Sequence, residues 1–139
     1  MTSNTALDRA ARLKPALAES VQYLLINGVR VAARSGKTFE TLNPATGEVL
    51  TRVAEGEAAD VEAAVAAARR AFEQPTWRRM SANDRSRLLL KLADLIERDA
   101  DDLAVLECLD NGKPAHLTRM VEVEGSIKTF RYFVGHPAK

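Results

Sequence analysis

Leu109-Asp110-Asn111-Gly112-Lys113-Pro114 separates two long helical patterns, and no other stretch interrupts them so sharply. Asn-Gly tolerates positive φ, and Pro114 stands where a first helical residue loses nothing by lacking an N–H. One helix stops there and another starts. Upstream, Leu88, Leu89, Leu92, Leu95 and Ile96 recur at helical spacing as a core face. The acidic run Asp99 to Asp102 then opens a further helix, with Leu103, Leu106 and Leu109 facing inward. Downstream, the apolar set Leu117, Met120, Val121, Ile127, Phe130 and Phe133 predicts a helix with a wide buried face. Gly125 lies inside that helix at a cost of about 1 kcal/mol relative to alanine, so either a neighbouring backbone approaches closely or space is being left.

Working back from the joint, Ser81 and Asp84 form a near-capping box at the start of the leucine helix. Before it, Val61, Ala64, Val65, Ala68, Ala71 and Phe72 share one face of a helix that begins near Ala58 and ends at Pro75-Thr76. Trp77 and Met80 are expected to anchor the following connection on the core. Nearer the N-terminus the period drops to two. Tyr23 to Val31 is split by Asn27-Gly28, the signature of a type I′ hairpin. Asn43-Pro44-Ala45-Thr46-Gly47 makes a second turn between Thr38 to Leu42 and Glu48 to Ala54, where Val49, Thr51 and Val53 alternate as in a strand buried on one face. The expected fold is α+β: two hairpins or a four-strand ribbon, followed by three to four α-helices. Residues 1–22 are expected to form a flexible arm with a helical bias broken at Pro15. Arg9, Arg12 and Lys14 faintly resemble a transit peptide, but Asp8 and Glu19 argue against one.

With 139 residues, 46% of them hydrophobic and 28% charged, the chain suits one globular unit and is too short for two ordinary domains. A net charge of +1 supplies no field toward nucleic acid or anionic lipid. Arg85, Arg87, Lys91 and Arg98 alternate with Asp84, Asp94, Glu97 and Asp99, which reads as a paired, solvated face. No apolar run is long enough for a membrane span. One cysteine, Cys108, excludes an internal disulfide and fits a reducing, cytoplasmic setting. His116 and His136 have no partner at metal-ligand spacing.

The run Thr41-Leu42-Asn43-Pro44-Ala45-Thr46-Gly47-Glu48-Val49 closely resembles an N-terminal signature of the aldehyde dehydrogenase superfamily. Ile26-Asn27-Gly28, Ala54-Glu55-Gly56, Ala67-Ala68-Arg69, Trp77 to Met80, Leu92 to Glu97, Leu109 to Pro114 and Phe130 to Gly135 follow the family's order and spacing. The likeness runs from about Leu24 to Gly135. After Gly135 the family continues with tryptophan and a sequence such as Ala-Asp-Lys, whereas this chain reads His136-Pro137-Ala138-Lys139.

The resemblance implies that residues 23–139 are the N-terminal portion of an α/β aldehyde dehydrogenase domain, contributing to its cofactor-binding part. The complete enzyme would oxidise an aldehyde to the acid through a cysteine thioester, with NAD or NADP taking hydride. The family motifs that carry the oxyanion asparagine, phosphate-binding glycines, general base and nucleophile are absent, so no residue here is assigned to catalysis or to the dinucleotide. Cys108 is not read as the nucleophile: it lies late in a helix, beside Glu107 and near Asp110, at a place the family does not use for catalysis.

Some family positions carry over. Thr41 and Leu42, through backbone oxygens, and Asp110, through its carboxylate, match a monovalent cation site for Na+ or K+, here partial. In the other reading Asp110 merely caps a local N–H. Val121 and Gly125, one turn apart, match the lining of the aldehyde tunnel, and glycine at the second position resembles members that accept bulky aldehydes. The family is homo-oligomeric. Two functions stand side by side: an inactive part of a dehydrogenase, or a stand-alone module that binds full-length subunits or another protein through its apolar faces.

Overall fold

The computed structural model describes residues 5–18 and 20–136. Helix α1 (Ala6–Ala18) precedes five strands: β1 (Val21–Gln22), β2 (Leu24–Ile26), β3 (Val29–Val31), β4 (Thr38–Leu42) and β5 (Val49–Ala54). α1 runs through Pro15 instead of breaking there. Its packing supplies the reason, since Ala10, Leu13 and Leu17 lie on a core of Leu50, Val105 and Leu109.

Asn27 and Gly28 take φ of 55° and 76°, so β2 and β3 close the two-residue hairpin that the dipeptide predicts, with Ile26 opposite Val29. β4 and β5 form a second hairpin in a separate sheet, and β1 adds to β5 in parallel, Val21 opposite Arg52. Two hairpins, and not one four-strand ribbon, therefore form. The second turn is held by Asn43, whose Oδ1 accepts from the Ala45 N–H at 3.0 Å and whose carbonyl accepts from the Gly47 N–H at 2.8 Å.

The expected burial of Val49, Thr51 and Val53 on one face of β5 is not what forms: Val49 is exposed while Leu50 and Thr51 are both buried. A register shift explains it. Thr41 pairs with Thr51 and Leu42 with Val49, leaving Leu50 as the extra residue of a bulge, which breaks strict alternation.

Helix α2 (Ala58–Glu73), the single turn α3 (Pro75–Arg78), α4 (Ala82–Arg98) and α5 (Ala100–Asn111) follow. The start of α2 is organised by Asp60, 4% exposed, which accepts from the Glu57 and Arg34 N–H groups at 3.0 Å each. Those two donors, Glu57 first, hold its carboxyl below the ordinary aspartate range. Ser81 caps α4 as its sequence predicts, accepting from the Asp84 N–H at 3.1 Å.

Three expected core faces are corrected. On α2, Val61, Val65 and Phe72 are exposed, because the helix packs chiefly on β2 and α3 and only Ala67 of its apolar residues is buried. On α4 the buried contact is Ala93 with Ile96 beside it, while Leu88, Leu92 and Leu95 face outward. On α5, Ala104, Val105 and Leu109 are buried, and Leu103 and Leu106 border a cavity instead. Trp77 is 44% exposed, with the Arg85 guanidinium 5.4 Å from its ring centroid, so it does not anchor the core as expected.

After the joint, α6 (Ala115–Leu117) passes into a π-helical turn, Thr118–Val123, and then α7 (Glu124–Phe133). The expected buried face again shifts. Thr118, Val123 and Ile127 are buried, whereas Met120 and Val121 are 68% and 57% exposed. A π turn inserts a residue into the helical repeat, so the inward series steps from Thr118 to Val123 by five positions and then resumes at four with Ile127.

Candidate functional site

Gly112 ends α5 at φ 80°, its N–H donating to the Cys108 carbonyl at 3.0 Å. Asn111 continues the turn by accepting from the Lys113 N–H at 2.8 Å, and Lys113 forms an ion pair with Glu122 that ties the joint to the π turn. A Cβ at Gly112 would lie 2.9 Å from Pro44 Cγ, so the Asn43-Pro44 turn is docked directly on the joint. Two stretches separated by more than sixty residues thus share one contact. Glycine is required there for conformation and for space.

Beside this contact, between the β1-β5-β4 sheet and helices α4, α5 and α7, lies a cavity of roughly 740 Å³. Thr41 and Asp110 both line it, together with Glu107, Glu122, Leu103 and Phe130. The Thr41 hydroxyl is buried without a hydrogen-bond partner. Among the described residues, the Asp110 carboxylate accepts no hydrogen bond and forms no ion pair, so it caps no local N–H. Thr41 and Asp110, two of the three residues of the expected cation set, thus border one cavity, Thr41 from the sheet and Asp110 from α5. Leu42, the third residue of that set, is adjacent in β4 with its side chain half exposed. The described residues contain no group of three or more His, Cys, Asp and Glu placed to hold a metal.

Val121 and Gly125 are absent from the cavity wall, where Glu122, Val123 and Ser126 stand instead. Val121 faces outward, and no heavy atom comes within 4 Å of where a Gly125 Cβ would sit. Space is therefore left at Gly125, and no neighbouring backbone presses on it. Cys108, half-buried, borders a different crevice, between α1 and the joint.

Two residues that pattern reading passed over organise the π turn. Thr118 is fully buried, with its hydroxyl 2.8 Å from the Ala104 carbonyl and 2.9 Å from that of Ala115. Arg119 pairs with Asp101 at 3.0 Å and Glu124 at 3.4 Å, spanning the turn. The available signal was the Glu122-Val123-Glu124 run, in which no regular α-helical face could bury Val123 together with Thr118 and Ile127.

Residues 31–139 match the model of the aldehyde dehydrogenase family. The chain belongs to that family. Among curated relatives, the mitochondrial benzaldehyde dehydrogenase of Antirrhinum majus is 46% identical over 88% of this chain and 23% of its own. A mitochondrial aldehyde dehydrogenase of Homo sapiens is 52% identical over 81% of this chain and 22% of its own. Among solved structures, an NAD+ complex of a Bacillus cereus aldehyde dehydrogenase superposes with a TM-score of 0.84 at 45% identity, covering 87% of this chain and 25% of the other. HpcC from Thermus thermophilus gives a TM-score of 0.87 at 38% identity, covering 92% and 24%. The chain thus spans about a quarter of the length of the aldehyde dehydrogenases it matches. Its α+β content, hairpins then helices, is that of the corresponding part of the family fold. No helix among the described residues is long and apolar enough to cross a membrane.

Proposed function

We propose that this chain is the N-terminal part of an NAD(P)-dependent aldehyde dehydrogenase, with residues 23–139 serving its cofactor-binding domain as scaffold and supplying no reacting group. The observation that carries this is the family match at about a quarter of the relatives' length. When bound, the nicotinamide cofactor accepts hydride in this reaction class. The described residues do not offer it a phosphate cradle. The N-terminus of α2 is occupied by the Asp60 carboxylate and that of α4 by Ser81 and Asp84, where a pyrophosphate would meet negative charge. No step is therefore assigned to the dinucleotide on this chain.

What these residues do is position. Shared lining of one cavity by Thr41 and Asp110 supports a partial site in which the Thr41 and Leu42 backbone oxygens and the Asp110 carboxylate would hold Na+ or K+ once a further oxygen completes the shell. The π turn directs Val121 outward, near the open space at Gly125, as two residues lining an aldehyde channel would be. Cytoplasmic placement rests on the lone free thiol, and homo-oligomeric assembly on family resemblance.

Incubated with NAD+ or NADP+ and an aldehyde, the purified 139-residue chain is expected to produce no NADH or NADPH above background. Sustained turnover from a sequence-verified preparation would overturn the scaffold reading. For the channel, Gly125→Met in a complete enzyme carrying this segment is expected to lower kcat/KM for a bulky aldehyde about tenfold or more relative to acetaldehyde. An unchanged ratio would remove Gly125 from the channel.

A second reading is favoured by the exposed faces of α2 and α4: the chain binds full-length dehydrogenase subunits or another protein through them. Fixed-stoichiometry co-purification with a longer dehydrogenase chain would support it. A monomer that recovers no partner would count against it.

A further inference from the structure

We infer that α1 is an electrostatic latch, closed over the Cys108 crevice by ion pairs to α5 and released as a unit when those pairs are screened. The helix has weak intrinsic claims on its conformation. Its 13 residues are near the lower limit for an isolated helix, Pro15 removes an internal hydrogen bond, and none of its residues is buried. What holds it is docking.

The docking has an apolar and a charged part. Ala10, Leu13 and Leu17 rest on Leu50, Val105 and Leu109, each only partly covered. Interleaved with these, Arg9 reaches Asp102 at 2.6 Å and Asp101 at 3.0 Å, and Arg12 reaches Asp102 at 2.6 Å. Arg9 is the most buried member, its side chain 16% exposed, and Lys14 extends the row toward Glu48 at 3.8 Å. In each of these pairs the basic partner lies on α1 and the acidic one on α5 or the second turn. The exposed members, Arg12 with Asp102 and Lys14 with Glu48, are screened once the Debye length falls from about 10 Å near 0.1 M salt to about 3 Å at 1 M, and the part-buried Arg9–Asp102 pair is screened less. The helix's other contacts are those of Ala10, Leu13 and Leu17 with α5 and β5.

Cys108 reports on the state of the latch. The crevice it borders is walled by Ala6, Leu7, Ala10 and Lys14 on one side and by Asn43, Leu109 and Gly112 on the other. Lifting α1 removes the first wall and opens the crevice at Cys108. Asp101 also holds Arg119, so the same acidic pair joins α1 to the π turn.

The test is the rate at which a neutral reagent, N-ethylmaleimide, modifies Cys108 in the full 139-residue chain at about 0.1 M and about 1 M KCl. Hydrogen exchange is followed in parallel by mass spectrometry. The expected result is a rise in labelling of roughly fivefold or more with salt, with exchange increasing in residues 6–18 and unchanged in α4 and α7. In Arg9→Gln/Arg12→Gln the fast rate is expected already at low salt, with no further response. A salt-independent rate in the unmodified chain overturns the latch, as does exchange that rises equally in all helices. If the double variant fails to fold, the salt series on the unmodified chain still decides. The inference does not depend on the dehydrogenase reading, since neither readout involves turnover.

Discussion

Gly112 shows how much one residue can carry. Its φ of 80° would cost another residue about 1–2 kcal/mol, and the Pro44 ring, 2.9 Å from where a Cβ would lie, cannot swing aside as a flexible side chain does. Gly36 is the internal control, with φ of 71° and nothing within 4 Å of its Cβ position. Gly112→Ala is therefore expected to lower stability by about 1 kcal/mol or more beyond Gly36→Ala, measured by urea denaturation of each variant. Equal losses would mean that the Pro44 contact constrains nothing. Half of this was legible in the sequence. Asn111-Gly112 announces positive φ because the requirement is local, whereas the approach of Pro44 depends on how the second hairpin docks, which no nearby residue encodes. Thr41 and Asp110 behave alike: their types suit oxygen ligands, but only the fold shows that both border one cavity and that the Thr41 hydroxyl is orphaned.

At the scale of elements, the sequence was readable where local chemistry decides and misleading where packing does. The Asn27-Gly28 hairpin, the Asn43 turn, the Ser81 cap and the stop at Gly112 all formed, because each is satisfied within a few residues. Leucine spacing on α4 correctly gave a helix but the wrong buried side, since Ala93 permits closer approach to α5 and α7 than the leucines do. The bulge at Leu50 and the π turn escaped for a common reason. Each inserts one residue into a period that pattern reading assumes to be constant. Thr118 is the natural determinant of the π turn, being a buried hydroxyl held to α5 through the Ala104 carbonyl. Thr118→Val keeps the shape and removes that donor, with an expected loss of about 1–2 kcal/mol. Amide exchange across residues 118–123 should then quicken more than across α4, as the π register relaxes. A uniform change across both helices would show that Thr118 contributes only general stability.

For the whole molecule, the faces left open by the fold are the strongest physical statement. Val61, Val65 and Phe72 on α2 are 59%, 62% and 59% exposed, and Leu88, Leu92 and Leu95 on α4 add a second outward row. Scattered exposed leucines are ordinary, but rows at helical spacing on two long helices are sites where apolar area is still to be buried. Burial returns about 25 cal/mol per Å² of apolar surface, so covering either row favours association even without specific pairing. The isolated chain is therefore expected to associate with rising concentration and to bind a hydrophobic dye. Replacing Val61, Val65 and Phe72 together by glutamine tests the cause on α2 without weakening the fold, because glutamine is a good helix former and these side chains contact little inside the molecule. In sedimentation velocity, the triple variant should shift toward monomer while its stability in urea stays within about 0.5 kcal/mol of the unmodified chain. Concentration-independent sedimentation of the unmodified chain would show that these rows are tolerated in water. A loss of stability in the variant equal to its loss of association would show that α2 packs on the molecule through this face after all.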